Sequence, residues 1–303
     1  MLAGYLPHLR RLEIRNANWR SGEIKPKAFI YLSSFTSVTL LIFHSVTFPN
    51  VMTFARMVCA LPNVDDLECR SVNFSDNRVN VSALPRSPPT QLWSLNLNGP
   101  SSCYIIDVLI AAKIAVYLHD LWIWQPFPLE DAKRSNFQHL VEEDGQHIRR
   151  LYLTVQREPL GGIPTQGAAE NQLGLSHLTR LYFLSLIIGP DPTFDYDWLP
   201  ICLSTISSSV TRHILLTFDI DWNPESQQSR RILAKISQGI CSQIDDVLSR
   251  PIFNDLMTVE FRLWVVPSHL MVGETVWAET LTPQLPKLQQ SGILRTSVQV
   301  YVD

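Results

Sequence analysis

The chain has 303 residues, 46% of them hydrophobic and 17% charged, so it can bury a sizeable core and is not a disordered chain. Its formal net charge of −3 argues against a nucleic-acid binder, which carries a basic excess or stripe. Its apolar runs fall well short of the roughly 20 residues that a membrane span needs, and its N-terminus shows no secretory leader pattern.

The first element is a short apolar phrase, Leu9-Leu12-Ile14, and the same phrase returns down the chain. Its skeleton is apolar, two residues, apolar, one residue, apolar. The copies are Val38-Leu41-Phe43, Val64-Leu67-Cys69, Leu92-Leu95-Leu97, Leu118-Leu121-Ile123, Ile148-Leu151-Leu153 and Leu178-Leu181-Phe183. Successive starts differ by 29, 26, 28, 26, 30 and 30 residues. A weaker copy follows at Val210-His213-Leu215 and a good one at Leu256-Val259-Phe261. Self-similarity at such a period is the mark of a solenoid.

The alternating end of each copy predicts a short strand with one buried face. Helical spacing predicts helices between the strands: over 51–61, through Phe54, Val58 and Leu61; over the very apolar 104–116; over 129–144, through Phe137, Leu140 and Val141; and over 227–249, through Ile232, Ile236, Ile240, Ile244 and Val247. Proline and glycine mark loops at 84–91 and 156–174, and 189–200 also reads as a loop. Residues 297–302 alternate strictly and predict a closing strand. Strand–helix units of this length suit a parallel sheet, whose crossovers need about a dozen residues or more. The expected fold is an α/β solenoid of about eight to ten stacked units. It has parallel strands inside and helices outside, and forms one domain over 1–303. The repeats are regular over about 6–188 and irregular beyond.

The repeats resemble leucine-rich repeat proteins over nearly the whole chain. The long period resembles the ribonuclease-inhibitor and F-box types. The phrases at 6–14 (LPHLRRLEI) and 54–74 (FARMVCALPNVDDLECRSVNF) look like fungal, especially basidiomycete, F-box-like repeat proteins. The resemblance implies a horseshoe that recognises partner proteins, with substrate recognition for a ubiquitin ligase as the finer implication. A Skp1-type adaptor is an implied partner only if an F-box lies upstream; none stands ahead of Leu9 in this chain. One departure is the absence of the Asn or Cys that many such repeats place three residues after the last apolar strand position. Ala17, Val46, Val72, Pro100, Pro126, Gln156 and Leu186 stand there instead. Less regular turns after the strands are therefore expected.

The signs of catalysis are weak. There is no G-x-S-x-G elbow and no glycine-rich phosphate loop. The eight histidines are scattered, with none at H-x-x-x-H spacing. Asp191, Asp195 and Asp197 lack the order of a calcium loop and read as a solvated loop. Asp219 and Asp221 alternate without a partner motif. Five scattered cysteines form no zinc or redox motif and read as reduced thiols filling the core, which suits the cytosol or nucleus. Two Asn-x-Ser sequons, at Asn73 and Asn80, read as chance matches. No enzyme activity, metal or cofactor is expected.

The informative positions are those between the apolar ones, which face away from the helices. Aligned on the repeat, Arg150, Arg180 and Arg212 share one register, and Trp122, Tyr152 and Tyr182 share the central one, with Trp124 beside them. Trp, Tyr and Arg dominate binding hot spots, and Arg pairs bidentately with carboxylate or phosphate. The patch is therefore expected to grip an acidic or phosphorylated segment of a partner protein. The competing reading is that the aromatics only stabilise the sheet.

Overall fold

The computed structural model describes residues 6–78, 91–128, 133–156, 173–189, 196–219, 234, 236–265 and 274–300. The chain divides into two compact units, residues 1–125 with 135–148 and residues 126–134 with 149–303. Both are mixed α/β, and every described strand pair is parallel.

The first unit holds β1 (Arg11–Arg15), α1 (Pro26–Leu32), β2 (Leu40–His44), β3 (Thr47–Phe48), α2 (Val51–Ala60), β4 (Asp66–Arg70), β5 (Asn73–Phe74), β6 (Ser94–Asn98), α3 (Ser102–Ala111), β7 (Asp120–Pro128) and α4 (Lys133–Asp144). Its sheet runs β1-β2-β4-β6-β7. Leu12, Leu41, Leu67, Leu95 and Leu121 stand in one register across it, as the repeat predicts. Helix α2 begins where the Asn50 side chain accepts the Thr53 N–H at 2.8 Å. It packs Phe54 against Phe43 and Phe48, at ring separations of 5.6 and 5.5 Å. Helix α3 ends before the expected residue 116. Lys113 takes a left-handed φ of 55°, and the Ile114 N–H donates back to the Leu109 carbonyl at 3.0 Å.

The turns after β1, β2 and β4 are regular, contrary to expectation. Asn16, Ser45 and Ser71, each the first residue beyond its strand, take φ values of 52°, 55° and 53°. Each of their N–H groups donates to the last carbonyl of the next strand, that of His44, Arg70 and Asn98. Beyond them Thr47 pairs with Asn73 and Phe48 with Phe74 in a second small sheet, and Asn18 bridges to Thr47. The main chain supplies the ladder that an asparagine side chain would otherwise build, so Val46 and Val72 are free to be buried apolar residues.

The second unit holds β8 (Arg150–Gln156), β9 (Phe183–Ile188), α5 (Trp198–Ser204), β10 (His213–Asp219), a π-turn (Ile236–Ile240) leading into α6 (Cys241–Leu248), β11 (Thr258–Val265), α7 (Glu274–Leu281), α8 (Pro286–Gln290) and β12 (Leu294–Val300). These strands are neighbours in chain order. Trp277 of α7 is fully buried; its ring meets Phe218 edge-on at 6.0 Å and its N–H donates to the Phe261 carbonyl at 2.9 Å. The buried Asp245 carboxylate of α6 accepts the Lys287 and Leu288 N–H groups at 3.1 and 2.9 Å, capping α8.

Three expectations change here. Residues 198–200, read as loop, open helix α5. The repeat frame also slips by one or more residues in two strands. The apolar triplet entering β9 is Leu181-Leu184-Leu186 rather than Leu178-Leu181-Phe183, because Leu151 pairs with Leu184 and Leu153 with Leu186. The triplet at β10 is Thr211-Ile214-Leu216 rather than Val210-His213-Leu215. Thr211 holds an apolar slot because its buried hydroxyl is satisfied by the Leu181 and Ser208 carbonyls, at 2.9 and 3.2 Å. The loop at 84–91 lies outside the described residues but for Gln91, as does most of 156–174, together with Ile232, Asp191, Asp195 and Asp221.

Candidate partner-recognition surface

In the first unit the positions between the buried ones change character from β1 to β7. β1 carries Arg11, Glu13 and Arg15, with Arg15 Nε 2.5 Å from Glu13. Its hydrogen bond to Arg15, opposed by desolvation, holds Glu13 below the usual carboxylate range. β4 repeats the arrangement with a Glu68–Arg70 ion pair. β6 carries Asn96 and Asn98, and β7 carries half-buried Trp122, opposite Asn96, with exposed Trp124 two residues on. Asp66, Ser94 and Asp120 align across three strands. Burial raises the Asp66 pKa, a Ser94 hydrogen bond lowers it, and Asp65 and Asp120 add repulsion.

In the second unit the expected arginine column does not form. Arg150 faces Phe183, which faces His213, while Arg180 lies in the turn ahead of β9. Arg212 immediately precedes β10. The tyrosine row also separates: Tyr152 faces Ser185, and Tyr182 stands one residue before β9. The slips are the cause, three residues at β9 and one at β10, since any odd shift turns every side chain to the other face of a strand.

A different cluster takes the column's place. The Tyr152 ring stacks on Phe183 at 5.0 Å. Phe183 lies 6.3 Å from the His213 ring, which meets Tyr182 edge-on at 5.3 Å. The Tyr182 hydroxyl is 3.3 Å from His213 Nε2, and the Arg212 guanidinium carbon lies 5.8 Å from the Tyr182 ring centroid. The line therefore runs Tyr152, Phe183, His213, Tyr182, Arg212. It sits where the strands begin. Tyr182 is 39% exposed and Met257, whose N–H donates to the Arg212 carbonyl one strand further on, 57%, and Arg149, Arg150, Arg180 and Arg212 are exposed at the same end. Further along the strands the face closes: Ser185 and Thr217 are buried. Chemically the rim offers flat apolar rings ringed by guanidinium groups, a surface for a carboxylate- or phosphate-bearing chain. Phe183 and His213 were missed in the sequence; three leucines at 181, 184 and 186 carried the correct frame.

A hollow of about 460 Å³ opens elsewhere in this unit among Leu248, Arg250, Phe253, Leu288 and Ile293. Its ionisable lining residues are Arg250 and Lys287, and Lys287 is paired with Asp246 at 2.7 Å. Among the described residues no three His, Cys, Asp or Glu side chains gather as a metal site. No described helix is long and apolar enough to cross a membrane. All five cysteines are free and buried, and burial pushes the Cys59 thiol up to about 11 and that of Cys241 to about 12.

No family model matches the chain, and no curated protein does. Among solved structures it is similar to one described as the crystal structure of Rad7 and Elc1 complex in yeast. The identity is 17% and the TM-score 0.35, with 100% of this chain and 82% of that chain covered. The register of the strands, not this likeness, defines the architecture given above.

Proposed function

We propose that the chain is a leucine-rich-repeat-like solenoid without catalytic activity, which binds a partner protein through the strand-start rim of its second unit. The observation that carries this reading is the continuous line Tyr152–Phe183–His213–Tyr182–Arg212 with exposed arginines beside it. An acidic or phosphorylated segment is the fitting ligand: its charges pair with Arg149, Arg180 and Arg212, and its apolar groups lie on Tyr182 and Met257. The test is capture of an array of acidic and phosphorylated peptides by the purified chain. Replacing Arg149, Arg180 and Arg212 together by alanine is expected to weaken capture by tenfold or more, as loss of hot-spot arginines does, with the circular dichroism spectrum unchanged. Equal capture by the folded triple variant overturns the reading.

The resemblance of the repeats to the F-box type supports a narrower form of it, in which the captured protein is a ubiquitin-ligase substrate. That form requires a Skp1-type adaptor to join the chain through a segment upstream of Leu9. Pull-down of such an adaptor by the longest natural transcript product, and not by residues 1–303 alone, is the expected result.

A further inference from the structure

The last described strand has an open side. Among the described residues β12 pairs with β11 alone. The Val259 N–H donates to the Ile293 carbonyl at 3.0 Å. Because backbone groups alternate along a strand, Ile293, Arg295, Ser297 and Gln299 turn theirs toward β11. Leu294, Thr296, Val298 and Val300 turn theirs outward. The same four residues are half-buried, whereas their partners Val259, Phe261, Leu263 and Val265 are almost fully buried. Among the described residues, apolar surface and backbone polar groups therefore have no strand beside them along one line.

We propose that this edge pairs with the β12 edge of a second copy of the chain, antiparallel and centred on Ser297. In that register Leu294 faces Val300 and Thr296 faces Val298. All four outward-turned residues then meet outward-turned residues, so their N–H and C=O groups satisfy one another. Arg295 faces Gln299, and no like charges oppose. Arg295 is the strand's one charged residue, so β12 lacks the charges and prolines that blunt an edge. The edge of β1 is the contrast. Its sequence is Arg-Leu-Glu-Ile-Arg, and self-pairing centred on Glu13 would set two glutamates face to face. A two-fold contact of one patch with itself is the commonest way for soluble chains to associate. This interface is separate from the aromatic rim, so either proposal can fail without the other.

The test is the mass of the purified chain by light scattering across a dilution series. A dimer that dissociates on dilution is expected. Thr296→Pro removes an outward N–H that β11 does not use, a position where an edge strand accepts proline; it is expected to give a folded monomer. A second probe covers the case in which that variant misfolds. Ser297→Cys places one thiol against its copy at the two-fold axis, and the five native thiols are buried. Mild oxidation is then expected to yield a disulfide-linked dimer on a non-reducing gel, whereas Arg295→Cys, which faces Gln299, yields far less. A wild-type chain that stays monomeric throughout, or a dimer that neither crosslinks through residue 297 nor responds to Thr296→Pro, overturns the proposal.

Discussion

The two units measure out their strands differently, one evenly and the other not. In the first, β1, β2, β4 and β6 have five residues each, and each is followed at once by a residue of positive φ: Asn16, Ser45, Ser71 and Gly99. Partners across these strands lie 26 to 29 residues apart in the chain, as from Leu40 to Asp66 and from Arg11 to Leu40. In the second, strands run for six to eight residues. Partners there stand 30 to 45 residues apart, as from Phe183 to His213 and from His213 to Thr258. A strand stopped by a local backbone device keeps a constant length, and the period stays constant with it. In the second unit length and period both vary from strand to strand.

The largest expected effect tests whether the regular unit depends on its core or on its turns. Phe48 touches the rings of Trp19, Phe43, Phe54 and Phe74. Phe48→Ala is expected to cost about 3–5 kcal/mol in denaturant unfolding. A loss below about 1 kcal/mol would move the weight to the turns.

The glycines sharpen the contrast. A Cβ at Gly99 would lie 2.9 Å from the Ser71 nitrogen, whereas one at Gly292 meets nothing within 4 Å. Gly292→Ala is expected to cost about 1–2 kcal/mol from the left-handed backbone alone, and Gly99→Ala more, since Ser71 cannot withdraw without breaking its bond to Asn98. Equal losses would mean that the turns of the first unit are not close-packed. In the second unit, Asp245→Ala strips the cap from α8 and is expected to cost about 1–3 kcal/mol.

Asp66 gives a pH signature to the first unit. Its raised pKa means that the folded state holds the proton more readily than the unfolded chain. Ionised Asp66 therefore costs stability above its folded pKa, and that cost disappears as pH falls to the ordinary carboxylate value and below. Asp66→Asn is expected to stabilise the chain at pH 7 and to leave it unchanged at pH 3; a gain of equal size at both pH values would rule out the titration. Smallest of all, Ser45→Gly is expected to stabilise by a few tenths of a kcal/mol by relieving positive φ.

The same contrast governs how much could be read from the sequence. Leu12, Leu67 and Leu95 align as the repeat predicts because β1, β4 and β6 each alternate apolar with polar residues, and the even period carries the register to Leu41 and Leu121. The segment leading into and through β9 has several apolar frames, since Leu173, Leu175, Leu178, Leu181, Leu184 and Leu186 are all buried. Counting apolar residues cannot choose among frames that are all apolar. At β10 the choice was reversed by Thr211, a polar residue made acceptable by two carbonyls that only the fold reveals. The predicted arginine column failed for this reason, while Tyr152, Tyr182 and Arg212 still belong to one surface.

The hydrogen bonds from Asn16, Ser45 and Ser71 to the carbonyls of the neighbouring strands have an evolutionary consequence. A staircase held by asparagine side chains must spell asparagine at each step, and it remains recognisable as text. One held by the main chain asks of its steps only a tolerance for positive φ. Its spelling can drift while the stairs stand, so kinship among such chains is better sought in the spacing of backbone pairings than in the letters.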